Sequence, residues 1–280
     1  MNRYMTITEE LVFAHHISEE TADAAQHYPH THPFCELYFY VSGKCSYIVE
    51  NGVYEPMPGT VIFTRGGEMH GVRIEEDCVY ERYYFQIQPH LAETFGFPAL
   101  LRCFYDRPHG ENNSIVLPFH TARECFSLLE RTENLFCGGE RDAGPLALAA
   151  FFELLHKVSQ YAENPAAQPE TQARSPIVNT AMRYINDHLA DIRSPSDLAA
   201  QLYVRREYLS RQFTTHIGIT LGRYLTMKRV ALAKSLLSQG QGKSLEEICM
   251  LCGWQDYNYF ITVFRQETGE TPMRYRNRMR

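Results

Sequence analysis

The stretch Phe213-Thr-Thr-His-Ile-Gly218-Ile-Thr220 returns 51 residues later as Phe264-Arg-Gln-Glu-Thr-Gly269-Glu-Thr271, so F-x-x-x-x-G-x-T is written twice. The approach to each copy is also shared: Leu198-Ala199 matches Ile248-Cys249, and Leu209 matches Phe260. A repeated short helical pattern points to two copies of one recognition unit rather than to a catalytic pocket.

Working outward, each copy reads as a short helix, a tight turn and a second amphipathic helix. In the first, Ser196–Leu202 leads through Tyr203-Val204 to Arg205–His216; in the second, Leu245–Cys252 leads through Gly253-Trp254 to Tyr257–Thr268. That is helix-turn-helix organisation, whose second helix enters the DNA major groove. Ser194-Pro-Ser-Asp197 and Ser244-Leu-Glu-Glu247 are capping patterns that open the first helix of each unit. Ser175-Pro176 opens an earlier helix with an N-cap and a first-turn proline. Gly222–Ser238 forms a long helix between the copies. On the first recognition helix Tyr208, Leu209 and Phe213 form the expected buried stripe. Arg205, Arg206, Ser210, Arg211 and Thr214 then face outward as DNA-contact candidates. On the second, Phe260 and Phe264 are buried, with Tyr257, Asn258, Ile261, Thr262 and Arg265 outside.

The charge distribution agrees. Residues 1–174 hold 12 Lys and Arg against 24 Asp and Glu, whereas residues 175–280 hold 15 against 9, a net +6. An acidic part joined to a basic part suits a chain that meets a polyanion at one end. No stretch approaches the roughly 20 apolar residues that span a bilayer, no signal segment opens the chain, and the eight cysteines lack a framework spacing. Cytoplasmic location and no membrane partner are expected. Cys249-x-x-Cys252 occupies apolar slots of the repeat and reads as helix core.

Residues of about 10–90 are β-rich. Strands are expected at Cys35–Val41, Tyr47–Glu50, Val53-Tyr54, Val61–Phe63 and Val79–Ile87, with Ser42-Gly-Lys44, Asn51-Gly52 and Pro56-Met-Pro-Gly59 as turns. Helical stripes follow at Ala122–Phe136 and Pro145–Tyr161, a pair that closes the β domain or forms a dimer seam. Glu163–Ala173 is polar, carries two prolines and reads as a linker. The expected fold class is therefore α+β in several domains. A β-barrel with two trailing helices spans residues 1–161, a linker 162–174, and an all-α domain with two helix-turn-helix motifs 175–280.

The run from Ser244 through Arg276, with Cys252-Gly-Trp254, Val263-Phe-Arg265 and Gly269-Glu-Thr-Pro-Met-Arg-Tyr-Arg276, resembles the AraC/XylS family of bacterial transcription regulators. The first copy and Arg229–Leu237 agree with it. The resemblance covers about 100 residues and implies two units reading successive major grooves, with activation the favoured outcome. One departure is Thr262, where the family commonly has arginine; the first recognition helix is then expected to carry more of the specificity.

In the N-terminal part, His30-Thr-His32-Pro-Phe-Cys-Glu36 followed by Gly43, and Gly59, Gly67 and His70 further on, resemble the two cupin motifs. Arg65 stands for the usual proline and Ile74 for the usual asparagine. His30, His32, Glu36 and His70 suit a divalent transition metal, or the hydroxyls or carboxylate of an organic effector in the same pocket. Glu36, Tyr38 and Tyr40 share a strand face, and phenols beside a His cluster suit a sugar-like ligand. His15, His16 and His27 show no partner spacing and are expected at the surface. The main reading is a non-enzymatic regulator whose partners are double-stranded DNA, a small-molecule effector and a second copy of the chain. RNA polymerase is a further candidate. The alternative is a metal-dependent cupin enzyme or metal sensor carrying a DNA-binding module.

Overall fold

The computed structural model describes residues 2–21, 29–50, 52–164, 172–173, 175–238 and 242–279. The chain divides into two units. One comprises Met1–Pro29 and Phe34–Gln172; the other comprises His30–Pro33 and Ala173–Arg280. Most of the expected linker lies outside the described residues, as does His27.

The strands of the first unit are β1 (Asn2–Thr8), β2 (Leu11–Glu20), β3 (Cys35–Ser42), β4 (Cys45–Val49), β5 (Gly52–Tyr54), β6 (Thr60–Thr64), β7 (His70–Ile74), β8 (Cys78–Ile87) and β9 (Ser114–Val116), with β10 (Gln172–Ala173) at the boundary. They form an antiparallel six-stranded sheet ordered β1-β2-β8-β3-β6-β9 and a second sheet ordered β10-β5-β4-β7. Strands β4 and β5 pair with Val49 opposite Gly52 and Tyr47 opposite Tyr54, while Asn51 of the expected turn lies outside the described residues. Strand β1 was not among the expected strands.

The period of two along a strand sorts side chains onto two faces. On one face of the larger sheet, Phe13, Leu37, Phe39, Phe85 and Ile87 join Cys125, Leu129, Phe151 and Leu154 in a continuous apolar core. The last four come from α3 (Phe119–Cys137) and α4 (Ala143–Ala162), which follow the short helices α1 (Leu91–Thr94) and α2 (Arg102–Tyr105). Burial of these stripes drives the helices onto the sheet; the Phe85 and Phe151 rings sit 4.9 Å apart. The other face, with Tyr38, Tyr40, Ile62 and Tyr80, joins Tyr47, Tyr54, Val72 and Ile74 of the smaller sheet.

His15 and His16 are buried, at 5% and 6% exposure, contrary to the surface placement expected for them. Long-range partners explain this. The His15 ring stacks on Tyr83 at 3.9 Å, and its two nitrogens lie 2.9 Å from Glu133 and 2.9 Å from Glu81. Arg3 adds a 2.6 Å ion pair to Glu133. Buried polar groups persist where they are paired in this way.

The second unit contains α5 (Pro176–His188), α6 (Pro195–Gln201), α7 (Arg206–Ile217), α8 (Leu221–Ser238), α9 (Leu245–Leu251), α10 (Tyr257–Thr268) and α11 (Pro272–Arg278). The doubled motif acquires a role at each position. Phe213 and Phe264 are fully buried. Gly218 and Gly269 adopt left-handed φ of 84° and 79° and end α7 and α10. Thr220 and Thr271 then accept the backbone N–H of Arg223 and Arg274 at the start of the next helix.

Ser244 and Glu247 make both bonds of a capping box, and Ser194 accepts from Asp197 N. Ser175 departs from expectation: it makes no cap bond, and its hydroxyl donates to Gln212 at 3.3 Å. Cys249 and Cys252 are buried beside Trp254 and Phe260, as expected for helix core. Burial pushes the Cys252 thiol up to about 12. Within α8, Arg229 donates to the Ile192 carbonyl and lies over the Trp254 ring, linking the loop before α6 to the second copy.

Candidate functional site

The two helix-turn-helix units share their turns bond for bond. Leu202 N, Tyr203 N and Val204 N donate to Leu198, Ala200 and Ala199; Cys252 N, Gly253 N and Trp254 N donate to Ile248, Met250 and Cys249. The turn requires a left-handed residue, with φ of 56° at Tyr203 and 80° at Gly253. Gly253 has a second reason to be glycine, since a Cβ there would meet Leu189 O at 2.8 Å. Tyr203 is 96% exposed, so its side chain returns little packing for the strain. Tyr203→Gly is expected to stabilise the second unit by about 1 kcal/mol. Urea denaturation checks this, and a lower midpoint would show that the phenol makes a stabilising contact.

On α7, Arg206, Arg211 and Thr214 are exposed, as is Arg205 at its N-cap, and Ser210 is half-buried. Tyr208, expected in the buried stripe, is 41% exposed, and Leu209, Phe213 and Ile217 form the buried face instead. Spacing of four between Leu209 and Phe213 puts Tyr208 about 100° off that stripe. On α10, Asn258, Thr262 and Arg265 are exposed, while Tyr257 and Ile261 are half-buried against the core. Thr214 and Thr262 donate their hydroxyl protons to Ser210 O and Asn258 O, at 3.1 and 2.9 Å. Each therefore meets a ligand as an acceptor.

Between its two sheets the first unit holds an inner chamber filled by buried aromatic side chains, Tyr38, Tyr47, Tyr54 and Tyr80 among them, with polar groups interspersed. Glu36, Tyr38 and Tyr40 pair with Gln86, Tyr84 and Arg82 across β3 and β8. Tyr38 and Tyr80 share a 2.6 Å hydroxyl contact, and the Tyr47 hydroxyl donates to Glu36 Oε1 at 3.2 Å. Burial raises the Tyr38 and Tyr47 phenols well above their ordinary range, so both stay neutral donors. The Tyr40 hydroxyl is committed to the Gly43 carbonyl at 2.6 Å. Gly43, at φ 129°, lets the turn close on Tyr80, whose Cδ2 would lie 2.9 Å from any Cβ.

His70 Nδ1 lies 3.0 Å from the Glu68 carbonyl and must donate to it. In the neutral ring Nε2 then carries the lone pair, 3.9 Å from Glu36 Oε1. Two electron-rich atoms so placed attract a cation or a hydroxyl proton. A carbonyl-oriented imidazole is also the usual support for a metal-ligating histidine. His30 and His32 belong to the segment grouped with the second unit, their ring centroids 5.7 Å apart. Sequence reading missed Tyr47, Tyr80, Arg82, Tyr84 and His16 as chamber residues. The alternation Tyr80-Arg82-Tyr84 was the available signal, but Tyr83 and Phe85 are equally apolar on the opposite face, so the phase was ambiguous.

An antiparallel β unit with such an inner chamber, carried with a basic unit of two helix-turn-helix motifs, defines a ligand-responsive DNA-binding regulator. A model described as Helix-turn-helix domain matches residues 198–278, and one described as AraC-like ligand binding domain matches residues 16–131. The chain belongs to the AraC family of transcription regulators. It is 25% identical over 268 residues to the HTH-type transcriptional activator RhaR of Salmonella dublin, covering 92% of each chain. Among solved structures, it is 32% identical to the C-terminal domain of AraT, a response regulator from Geobacillus stearothermophilus (38% of this chain, 88% of that one, TM-score 0.36). It is 26% identical to the DNA-binding domain of AdpA in complex with a target DNA (37% and 91%, TM-score 0.34). The protein is a transcription regulator and not an enzyme, which sets aside the cupin-enzyme alternative. Among the described residues no helix is long and apolar enough to cross a membrane.

Proposed function

We propose that a small polyol, of carbohydrate type, binds the N-terminal chamber as effector and promotes transcription by changing how two such chains engage DNA. The observation that carries this reading is the Glu36, His70 and Tyr47 group. It joins a carboxylate, an imidazole and a neutral phenol within one ligand-binding domain. Such a group exchanges hydrogen bonds with vicinal hydroxyls. A divalent transition ion is the other occupant compatible with these atoms, with Glu36 and His70 as ligands. Activation is supported by the name of the RhaR relative. An effector regulates only by binding two states with different affinity.

At the DNA, Arg205, Arg206, Ser210, Arg211 and Thr214 of the first unit, and Tyr257, Asn258, Ile261, Thr262 and Arg265 of the second, are the proposed contacts. The arginines at and near the start of α7 give that helix most of the discrimination. Arg211→Ala is expected to weaken binding to the cognate site by about 1–3 kcal/mol, roughly 5- to 150-fold, with little change on unrelated DNA. Fluorescence anisotropy on both DNAs separates the cases. An equal loss on both would make Arg211 a phosphate contact.

A further inference from the structure

Arg82 stands on the face of β8 that also carries Tyr80 and Tyr84, and no carboxylate among the described residues is paired with it. Strand β8 alternates, and the residues of the Tyr80, Arg82 and Tyr84 set pair with Ser18, His16 and Ala14 of β2; on β3, Tyr40 faces Arg82 and Tyr38 faces Tyr84. The guanidinium carbon lies 4.4 Å above the Tyr80 ring centroid. Nη2 meets His16 Nδ1 at 3.3 Å, so its partner is a neutral acceptor and not an anion. Nη1 is shut off from solvent and has no hydrogen-bond partner among the described residues. No carboxylate among the described residues lies within ion-pair distance of Arg82, although Arg3, Arg73 and Arg107 each have one.

An arginine cannot shed its proton to escape burial. A guanidinium with an unpaired, buried N–H group therefore costs stability unless something fills the position. Its planar fork matches a carboxylate. We infer that the effector is an organic acid, a small polyhydroxy carboxylate, and that Arg82 holds its carboxylate. The inference rests on the proposed effector reading of the chamber and narrows its ligand class. Glu36 and Tyr40 are four residues apart on β3, about 13 Å along the strand. Because Tyr40 faces Arg82, the acidic and cationic groups lie toward opposite ends of one face. The ligand's hydroxyls then turn toward Glu36 and Tyr47 and its carboxylate toward Arg82, a polarity that a neutral sugar does not satisfy.

The test is thermal shift and titration calorimetry on the full chain with glucuronate, galacturonate and gluconate. The controls are glucose, galactose and the uronate methyl esters. A sugar acid should raise the melting temperature, with the neutral counterpart at least tenfold weaker. Arg82→Met should abolish that response while melting cooperatively at or above the ligand-free wild-type temperature. Arg82→Lys should restore part of it. If neutral sugars shift wild type and Arg82→Met equally, the effector reading stands and the anion assignment falls. If neither panel shifts the wild type and Arg82→Met melts lower, Arg82 is structural and both readings fall.

Discussion

Glu68→Ala should cost the N-terminal unit about 3–5 kcal/mol, the scale on which a buried ion pair fails when one partner is removed. Glu68 is fully buried between β6 and β7. Its carboxylate accepts from Arg107 Nη1 and Nη2 at 2.8 and 2.6 Å, Gly110 N at 2.7 Å, Arg65 N at 2.9 Å and Asn113 Nδ2 at 3.0 Å. These donors come from the turn before β7 and the loop leading into β9, so one carboxylate organises both. Truncation strands the Arg107 guanidinium, whose side chain is 5% exposed. Urea denaturation followed by far-UV circular dichroism measures the loss. A loss under about 1 kcal/mol would mean that water reaches Arg107 without cost.

The same group gives a pH signature. Burial by itself would raise the Glu68 carboxyl, but the hydrogen bonds and charge of Arg107, aided by His109 and the Gly110 N–H, hold it down to about 2 from an ordinary 4.5. The folded state thus binds fewer protons than the unfolded state between these values. The stability Glu68 contributes is complete above about pH 4.5 and is lost as pH falls toward 2. Glu68→Ala should flatten the acid limb of the stability curve over that window while lowering the plateau at neutral pH.

Such networks explain what the sequence could not disclose. The F-x-x-x-x-G-x-T repeat was legible because its parts act locally: a phenylalanine in the core, a glycine stopping one helix and a threonine capping the next. The strands around Asn51-Gly52 and the two helical stripes were legible for the same reason. His15 with Glu133 and Glu68 with Arg107 lie 118 and 39 residues apart, and nothing in their local sequence announces the partner. In the chamber, Glu36, Tyr38 and Tyr40 were readable from alternation on β3. Arg82 was not, because β8 presents aromatic residues to both faces and hides its phase. Tyr208 was misread because aromatic character was taken for burial, whereas helical spacing places it outside the stripe.

Salt dependence of DNA binding is the other large expected effect. A basic unit that neutralises phosphates releases condensed counterions, so affinity falls steeply as salt rises. The exposed arginines Arg205, Arg206, Arg211 and Arg265 lie at or on the recognition helices, and Arg274 and Arg278 are exposed on α11. About six phosphate contacts would weaken binding roughly 10³-fold between 50 and 200 mM salt. Sequence preference rests instead on base contacts and should separate cognate from unrelated DNA by about 10³-fold or more at fixed salt. The most direct measurement is fluorescence anisotropy of the full chain on its selected site and on a scrambled duplex across that salt range. Steep parallel salt slopes with a wide, constant gap between the two duplexes are the expected result. Binding that ignores salt and does not distinguish the duplexes would contradict DNA reading by α7 and α10.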